Sequence, residues 1–180
     1  MERSLFEEKY NKAASYIDEE KLNKANHRFD ENPLYIGCPG TRNLVITMEE
    51  IAELQTELFK FFIGEGDHLS LIEETADVYL AFRWIKNICK ISNEEVSKKM
   101  KGEYVINSKL VIMKSLSELQ QQISKFLRGK GNHDVFVEKL ANGYRSLEWI
   151  QNWYYISEEN VNKAMNVKIE RILNREDVLK

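Results

Sequence analysis

Apolar residues recur at three- and four-residue steps along most of the chain, as Leu44, Met48, Ile51, Leu54, Leu58, Phe61 and Phe62 in one stretch and Leu110, Met113, Leu116, Leu119, Ile123 and Phe126 in another. Such spacing keeps one stripe of an α-helix apolar and predicts two amphipathic helices. Each run ends in a Gly-x-Gly, Gly64/Gly66 and Gly129/Gly131, which stops the helix and turns the chain back. A second helix is predicted from about His68 to Lys90, with Leu71, Ile72, Thr75, Val78, Tyr79, Phe82, Ile85 and Ile88 inward, and its counterpart from about Asp134 to Tyr155. Helix starts follow at Ser92 and Ser157; Ser92-Asn93-Glu94-Glu95 has the capping-box spacing, and Ser157 is followed by Glu158 and Glu159. The third helix is short after Ser92 and runs nearly to the C-terminus after Ser157. One N-terminal helix, roughly Ser4 to His27, is expected ahead of these, with Phe29 to Thr41 as a loop that carries Pro33 and Pro39.

The two stretches are copies. At an offset of 65 residues, Met48 to Met100 aligns without a gap on Met113 to Met165, and 21 of the 53 pairs are identical, far more than composition alone would give. Shared positions include Glu53/Glu118, Gln55/Gln120, Phe61/Phe126, His68/His133, Tyr79/Tyr144, Trp84/Trp149 and Ser92/Ser157. Two helical hairpins with extra helices cannot bury their apolar faces separately, so the expected fold class is all-α: a bundle of two tandem repeats packed as an intramolecular pseudo-dimer about a pseudo-two-fold axis. The divisions are 1–42 for the N-terminal helix and loop, 43–107 for repeat 1 and 108–180 for repeat 2, within one compact domain.

Composition narrows the function. In 180 residues, 26 Lys+Arg stand against 29 Asp+Glu, so there is no basic excess to hold a nucleic-acid backbone. Ten residues, Asn32 to Thr41, form the longest uncharged run, half of the roughly 20 apolar residues that span a bilayer. No membrane partner is expected. The charged start MERSLFEEKYNK lacks the apolar core of a signal peptide, which points to the cytoplasm. Cys38 and Cys89 have no C-x-x-C spacing and read as reduced thiols.

The chemistry concentrates in repeat 1. Glu49, Glu50 and Glu53 lie on its first helix and Glu73, Glu74 and Asp77 on its second. Glu50 with Glu53, and Glu74 with Asp77, are three apart and so lie near one another on a helix surface. Like charges on facing helices repel, and a divalent cation cancels the repulsion; carboxylate oxygens with several retained waters suit Mg²⁺. The plain alternative is a solvated acidic face. Thr47-x-x-Glu50 also has capping-box letters, but the apolar stripe continues upstream through Leu44 and Thr47 aligns with Ile112, which puts Glu50 in mid-helix.

Glu-x-x-Glu, a 20-residue spacer and Glu-x-x-Asp, written here as MEEIAELQTEL and LIEETADVYLAF, resemble the MazG-like all-α nucleoside triphosphate pyrophosphohydrolases, whose relatives include dimeric dUTPases. The likeness covers the chain from about residue 43 onward. It implies a Mg²⁺ site, with Mn²⁺ as a substitute, held by Glu50, Glu53, Glu74 and Asp77, and hydrolysis of a nucleoside triphosphate to the monophosphate and pyrophosphate, with Glu50 or Glu53 as the proton acceptor. Repeat 2 departs from this pattern, with Ser115, Glu118, Lys139 and Asn142 at the equivalent positions. Its last helix, Asn166-Val167-Lys168-Ile169-Glu170-Arg171, is similar to the family's Asn-x-Lys-hydrophobic-x-Arg stretch, whereas repeat 1 has Lys101, Glu103 and Ile106 there. The losses are complementary. A composite site is expected, with acids from repeat 1 and substrate contacts from Asn166, Lys168 and Arg171 of repeat 2; the alternative for Lys168 and Arg171 is cations placed to suit the end of a helix. Two such chains pairing would make a four-repeat homodimer.

Other residues are ambiguous by sequence. Trp84 and Trp149 suit packing, Trp153-Tyr154-Tyr155 is expected to be buried at the bundle interface or to lend a ring to a base, and Gly143 in place of Val78 reads as drift or as room for a nucleotide. A di-iron bundle needs Glu-x-x-His on helix faces, and Glu65-x-x-His68 spans the glycine turn instead. His68 and His133 read as helix-start residues, and His27 as structural. Against the hydrolase stands a non-catalytic nucleotide-binding or protein-interaction module, motivated by the loss of one complete site.

Overall fold

The computed structural model describes residues 2–30, 41–102, 106 and 108–174, with side chains in the first segment from residue 6 to 26. The described residues are all-helical, without strands: α1 (Glu2–Tyr10), α2 (Glu19–Asp30), α3 (Thr41–Phe62), α4 (His68–Ile88), α5 (Asn93–Met100), α6 (Lys109–Leu127), α7 (His133–Trp153) and α8 (Glu158–Asn174). None of these helices is long and apolar enough to cross a membrane. Pro33, Cys38 and Pro39 lie outside the described residues.

One expectation fails. The helix expected over residues 4–27 is two helices, broken between Tyr10 and Glu19. Asp18 starts the second by accepting the backbone N–H groups of Glu20 and Lys21 at 3.1 Å. The carbonyls left free in the break find donors on α8: Asn162 Nδ2 donates to Ser15, and Asn166 Nδ2 to Ala14 and Tyr16 at 2.8 and 2.6 Å. No local pattern announces a break whose hydrogen bonds are completed about 150 residues away.

Elsewhere the punctuation acts as its chemistry requires. Gly64 and Gly129 take φ of +81° and +68°, the left-handed conformation that ends α3 and α6. Gly66 and Gly131 serve a different need, since a Cβ there would lie 2.2 and 2.1 Å from the rings of Phe61 and Phe126. Asp67 and Asn132 cap α4 and α7. Ser92 and Glu95 form the capping box of α5. Because α3 begins at Thr41, Glu50 is in mid-helix, and Thr47 Oγ1 bonds back to the Asn43 carbonyl instead of capping.

The hairpin α3–α4 packs on the hairpin α6–α7 chiefly through α3 and α6. Gln55 Nε2 donates to the carbonyl of Met113 at 3.1 Å, and its repeat equivalent Gln120 Nε2 donates to the carbonyl of Met48 at 2.9 Å. The third helices cross over: α5 follows α4 but packs on α7, and α8 follows α7 but packs on α4. Ile51, Leu54, Leu58, Ile85, Leu116, Leu119, Phe136 and Leu140 are fully buried between these layers, each worth about 1.5–3 kcal/mol in apolar transfer. Gly143 makes room for protein: a Cβ there would lie 2.9 Å from the Phe82 ring and 3.1 Å from Leu119. The space is therefore filled by α4 and α6, which leaves no room there for a nucleotide. Trp84 is in the core, as expected.

Candidate metal centre

α4 is the central helix, touched by α1, α3, α7 and α8, and its buried residues lie nearly all round it. Any carboxylate on α4 is therefore at or near a helix contact. Glu73 is met by α1, where Lys9 Nζ and Tyr10 Oη both donate to its Oε1. Burial, together with this carboxylate, pushes the Tyr10 hydroxyl well above the ordinary tyrosine range, so it stays a donor. Glu74 and Asp77 face α3 and α8 instead. One oxygen from each of Glu50, Glu74 and Asp77 lies within 4.8 Å of the others, a three-carboxylate group brought together by two helices.

Glu53 is outside this group. A three-residue step advances about 300° around a helix, so Glu53 lies about 60° from Glu50, on the side away from the buried stripe of Thr47, Ile51, Leu54 and Leu58. Its side chain is exposed. Its charge still reaches Glu50, Glu74 and Asp77 and raises all three. Three of the four expected ligand residues therefore converge, and the fourth, Glu53, meets Glu50 from the rim. Glu49 is exposed, as a neighbour of the motif should be.

The group is electrostatically costly as it stands. Burial first, then the charge of Asp77, pushes the Glu50 carboxyl from 4.5 up to about 7. The same two causes push Glu74 up to about 8. Burial raises Asp77 as well, and Lys168 only partly offsets it. Glu50 Oε2 and Glu74 Oε2 are buried without a hydrogen-bond partner. Carboxylate oxygens buried in this way are strongly unfavourable unless a cation completes the arrangement. Three hard oxygen donors with two unsatisfied atoms fit Mg²⁺ or Mn²⁺ and offer nothing to a soft metal.

One cation does reach the group. Lys168 Nζ on α8 donates to Asp77 Oδ2 at 2.6 Å and pairs with Glu50 Oε1 at 3.7 Å. The crossing of α8 onto α4 puts a lysine of repeat 2 among the acids of repeat 1. Burial disfavours the ammonium, but Asp77, Glu50 and Glu74 outweigh it and hold Lys168 above its ordinary range. The other two expected substrate residues make no ion pair or hydrogen bond with the group among the described residues, although the charge of Arg171 reaches Tyr10 beside it. Asn166 has its side-chain nitrogen committed to the carbonyls between α1 and α2, which ties α8 to the N-terminal segment. Arg171 is exposed, one turn beyond Lys168, with no ion pair among the described residues.

Repeat 2 shows the same place with its charges resolved. Lys139, at the position of Glu74, pairs with Glu118 at 3.0 Å. Asn142, at the position of Asp77, accepts from Arg145 at 2.9 Å, and Ser115, at the position of Glu50, bonds back to the Val111 carbonyl. The polar side chains there are partnered within the protein. His68 Nε2 donates to the Tyr154 carbonyl at 2.9 Å, and His133 meets Glu95 at 3.1 Å, so neither joins a metal group. Burial lifts the Cys89 thiol to about 11, which leaves it unreactive.

Of the stretch Trp153 to Tyr155, expected to be buried, Tyr154 packs against the core beside Phe61, with ring centroids 4.8 Å apart, whereas its neighbours do not. Trp153 is 55% and Tyr155 91% exposed; Trp153 stacks on Trp149 with centroids 4.5 Å apart. Tyr155 lines a cleft of about 690 Å³ with Phe6, Tyr10, Ile72, Asn160 and Lys163, where α1 meets the starts of α4 and α8. Neither this cleft nor the contacts of Lys9 and Tyr10 with Glu73 had any signal in the sequence, because α1 carries no motif. The chain matches no protein-family model, no curated protein and no solved structure.

Proposed function

We propose that this chain is a Mg²⁺-dependent nucleoside triphosphate pyrophosphohydrolase of the MazG-like kind, built as two repeats about an internal pseudo-two-fold axis, which converts an NTP or dNTP to the monophosphate and pyrophosphate. The observation that carries the reading is the contrast between the copies. Repeat 1 keeps three converging carboxylates with two buried, unpartnered oxygens, while repeat 2 has Ser115, Lys139 and Asn142 at the equivalent positions, each partnered within the protein. A scaffold has no use for the costly version. The symmetry reading is supported by the reciprocal Gln55 and Gln120 bonds and the exchanged third helices, since in an isologous contact each bond appears twice with the partners interchanged.

In this reading Glu50, Glu74 and Asp77 hold the cation. When bound, Mg²⁺ (or Mn²⁺) supplies screening of phosphate charge, polarisation of the scissile anhydride and a lowered pKa for a bound water. The rim carboxylate Glu53 is placed to accept that water's proton, because it is near the acids and open to solvent. Attack of a water oxygen on the α-phosphorus, with the bond from that phosphorus to the α–β bridging oxygen breaking and its electron pair going to that oxygen, would release pyrophosphate and leave the monophosphate, the water's proton passing to Glu53. Lys168 is within reach of the polyphosphate charge, and exposed Arg171 one turn on extends the cationic edge. The test is release of pyrophosphate and monophosphate from a panel of NTPs and dNTPs with Mg²⁺, beside Glu53→Gln and Asp77→Asn. Metal-dependent turnover that both variants abolish supports the assignment. A folded protein that turns over none of them and binds no Mg²⁺ would replace it with a non-catalytic module.

A further inference from the structure

Lys168 has no reason, in a simple metal site, to lie where it does. Its ammonium is 2.6 Å from Asp77 Oδ2 and 3.7 Å from Glu50 Oε1, so it occupies the side of the group that a cation shared by these oxygens would take. A divalent cation taking Asp77 Oδ2 and Glu50 Oε1 would meet the like charge of the ammonium at close range, so the two compete for these oxygens.

Resting on the reading above, we infer that Lys168 is a built-in place-holder for the divalent cation. Its ammonium neutralises Glu50 and Asp77 while no metal is bound, and it must leave them when metal enters, becoming free to take an anionic phosphate oxygen. Binding of metal and of polyphosphate is thereby coupled through one side chain. Three observations support this. The neutralisation is incomplete, because one ammonium faces three carboxylates and leaves Glu50 Oε2 and Glu74 Oε2 unpartnered. The side chain has a way out, being 32% exposed, against 13% for Glu50 and 16% for Asp77. The backbone beneath it is anchored, because Asn162 and Asn166 tie α8 to the carbonyls of residues 14–16, so the ammonium can move on its own stem without the helix following. Repeat 2 supplies the contrast. There Lys139 replaces a carboxylate in the chain itself and pairs with Glu118 and Glu138; the neutralisation is permanent, and no entering ion has to displace it.

The experiment is calorimetric titration of the full chain with Mg²⁺ alone, and then with Mg²⁺ in the presence of a non-hydrolysable triphosphate, for the wild type, Lys168→Met and Arg171→Met. For wild type the triphosphate should tighten Mg²⁺ binding by about tenfold, within the usual range of coupling between two ligands. Lys168→Met should bind Mg²⁺ alone tighter than wild type by a similar factor and show little further gain from the triphosphate. Arg171→Met, which removes the same charge without vacating the site, should leave the metal-only affinity within about twofold. A ¹⁵N signal from the Lys168 ammonium should shift on adding Mg²⁺ to wild type. Unchanged or weaker metal-only binding in Lys168→Met, or an equal gain in Arg171→Met, overturns the place-holder while leaving the metal site standing. Absence of Mg²⁺ binding in all three proteins, with and without the triphosphate, overturns the metal site and the place-holder together.

Discussion

Replacing Glu50 by glutamine should make the metal-free protein more stable at pH 8, although the residue is half-buried and belongs to the proposed site. The folded protein holds this carboxyl at about 7 against an ordinary 4.5. Its folded value is raised, so between those two values the native state binds more protons than the unfolded chain, and stability falls as pH rises through that window. With the side chain only 13% exposed, a shift of about 2.5 units corresponds to about 3 kcal/mol of cost once the group is charged. An amide carries no charge but inherits the unpartnered position of Oε2, which takes back about 1–2 kcal/mol. The net gain is then about 1–2 kcal/mol, or a Tm higher by about 2–8 °C for a chain of this size. The assay is thermal melting in a chelator, followed by circular dichroism, for both proteins at pH 5 and pH 8. The gain should be present at pH 8 and be lost or slightly reversed at pH 5, where the wild-type carboxyl is protonated and the unpartnered amide's cost remains. Mg²⁺ at pH 8 should raise the Tm of wild type and do so much less for Glu50→Gln. A variant that melts below wild type at pH 8 in chelator would refute the argument that these carboxylates are held together at a cost.

Asp77→Asn should lower turnover by a factor of about 10² or more through loss of a cation ligand, while Glu53→Gln should lower kcat but leave Mg²⁺ binding by calorimetry close to wild type, since Glu53 is at the rim. Gly143→Ala should destabilise by about 1–3 kcal/mol in denaturant unfolding, because overpacking against Phe82 and Leu119 exceeds the roughly 1 kcal/mol that alanine brings to a helix; an unchanged midpoint would mean that the Phe82 ring moves aside freely. Ser92→Ala, which removes one half of the capping box of α5, should cost about 1 kcal/mol by the same measurement.

The repeating apolar stripe was enough to read α3 through α8 from the sequence, because helix periodicity is a local property and each helix carries its own glycine or serine punctuation. The 65-residue repeat likewise announced two hairpins, and three of the four acidic letters singled out on the first of them, Glu50, Glu74 and Asp77, converge in the fold. Even the outward turn of Glu53 was present in the pattern, since its position falls off the stripe of Thr47, Ile51 and Leu54 while Glu50 stays at its edge.

Tertiary structure decided the rest. The split of the N-terminal segment depends on asparagines of α8 that satisfy its carbonyls, a commitment of Asn166 that no local pattern announces. Gly143 has its meaning only once Phe82 is packed against it. Above all, it was the crossing of α8 onto α4 that put Lys168 against Asp77, 91 residues away in the chain. Sequence sets which face of each helix is apolar and which residues can carry charge. Which charges meet, and how far water is kept from them, follows from the order in which the faces pack, and the raised carboxyls of Glu50 and Glu74 arise from that burial.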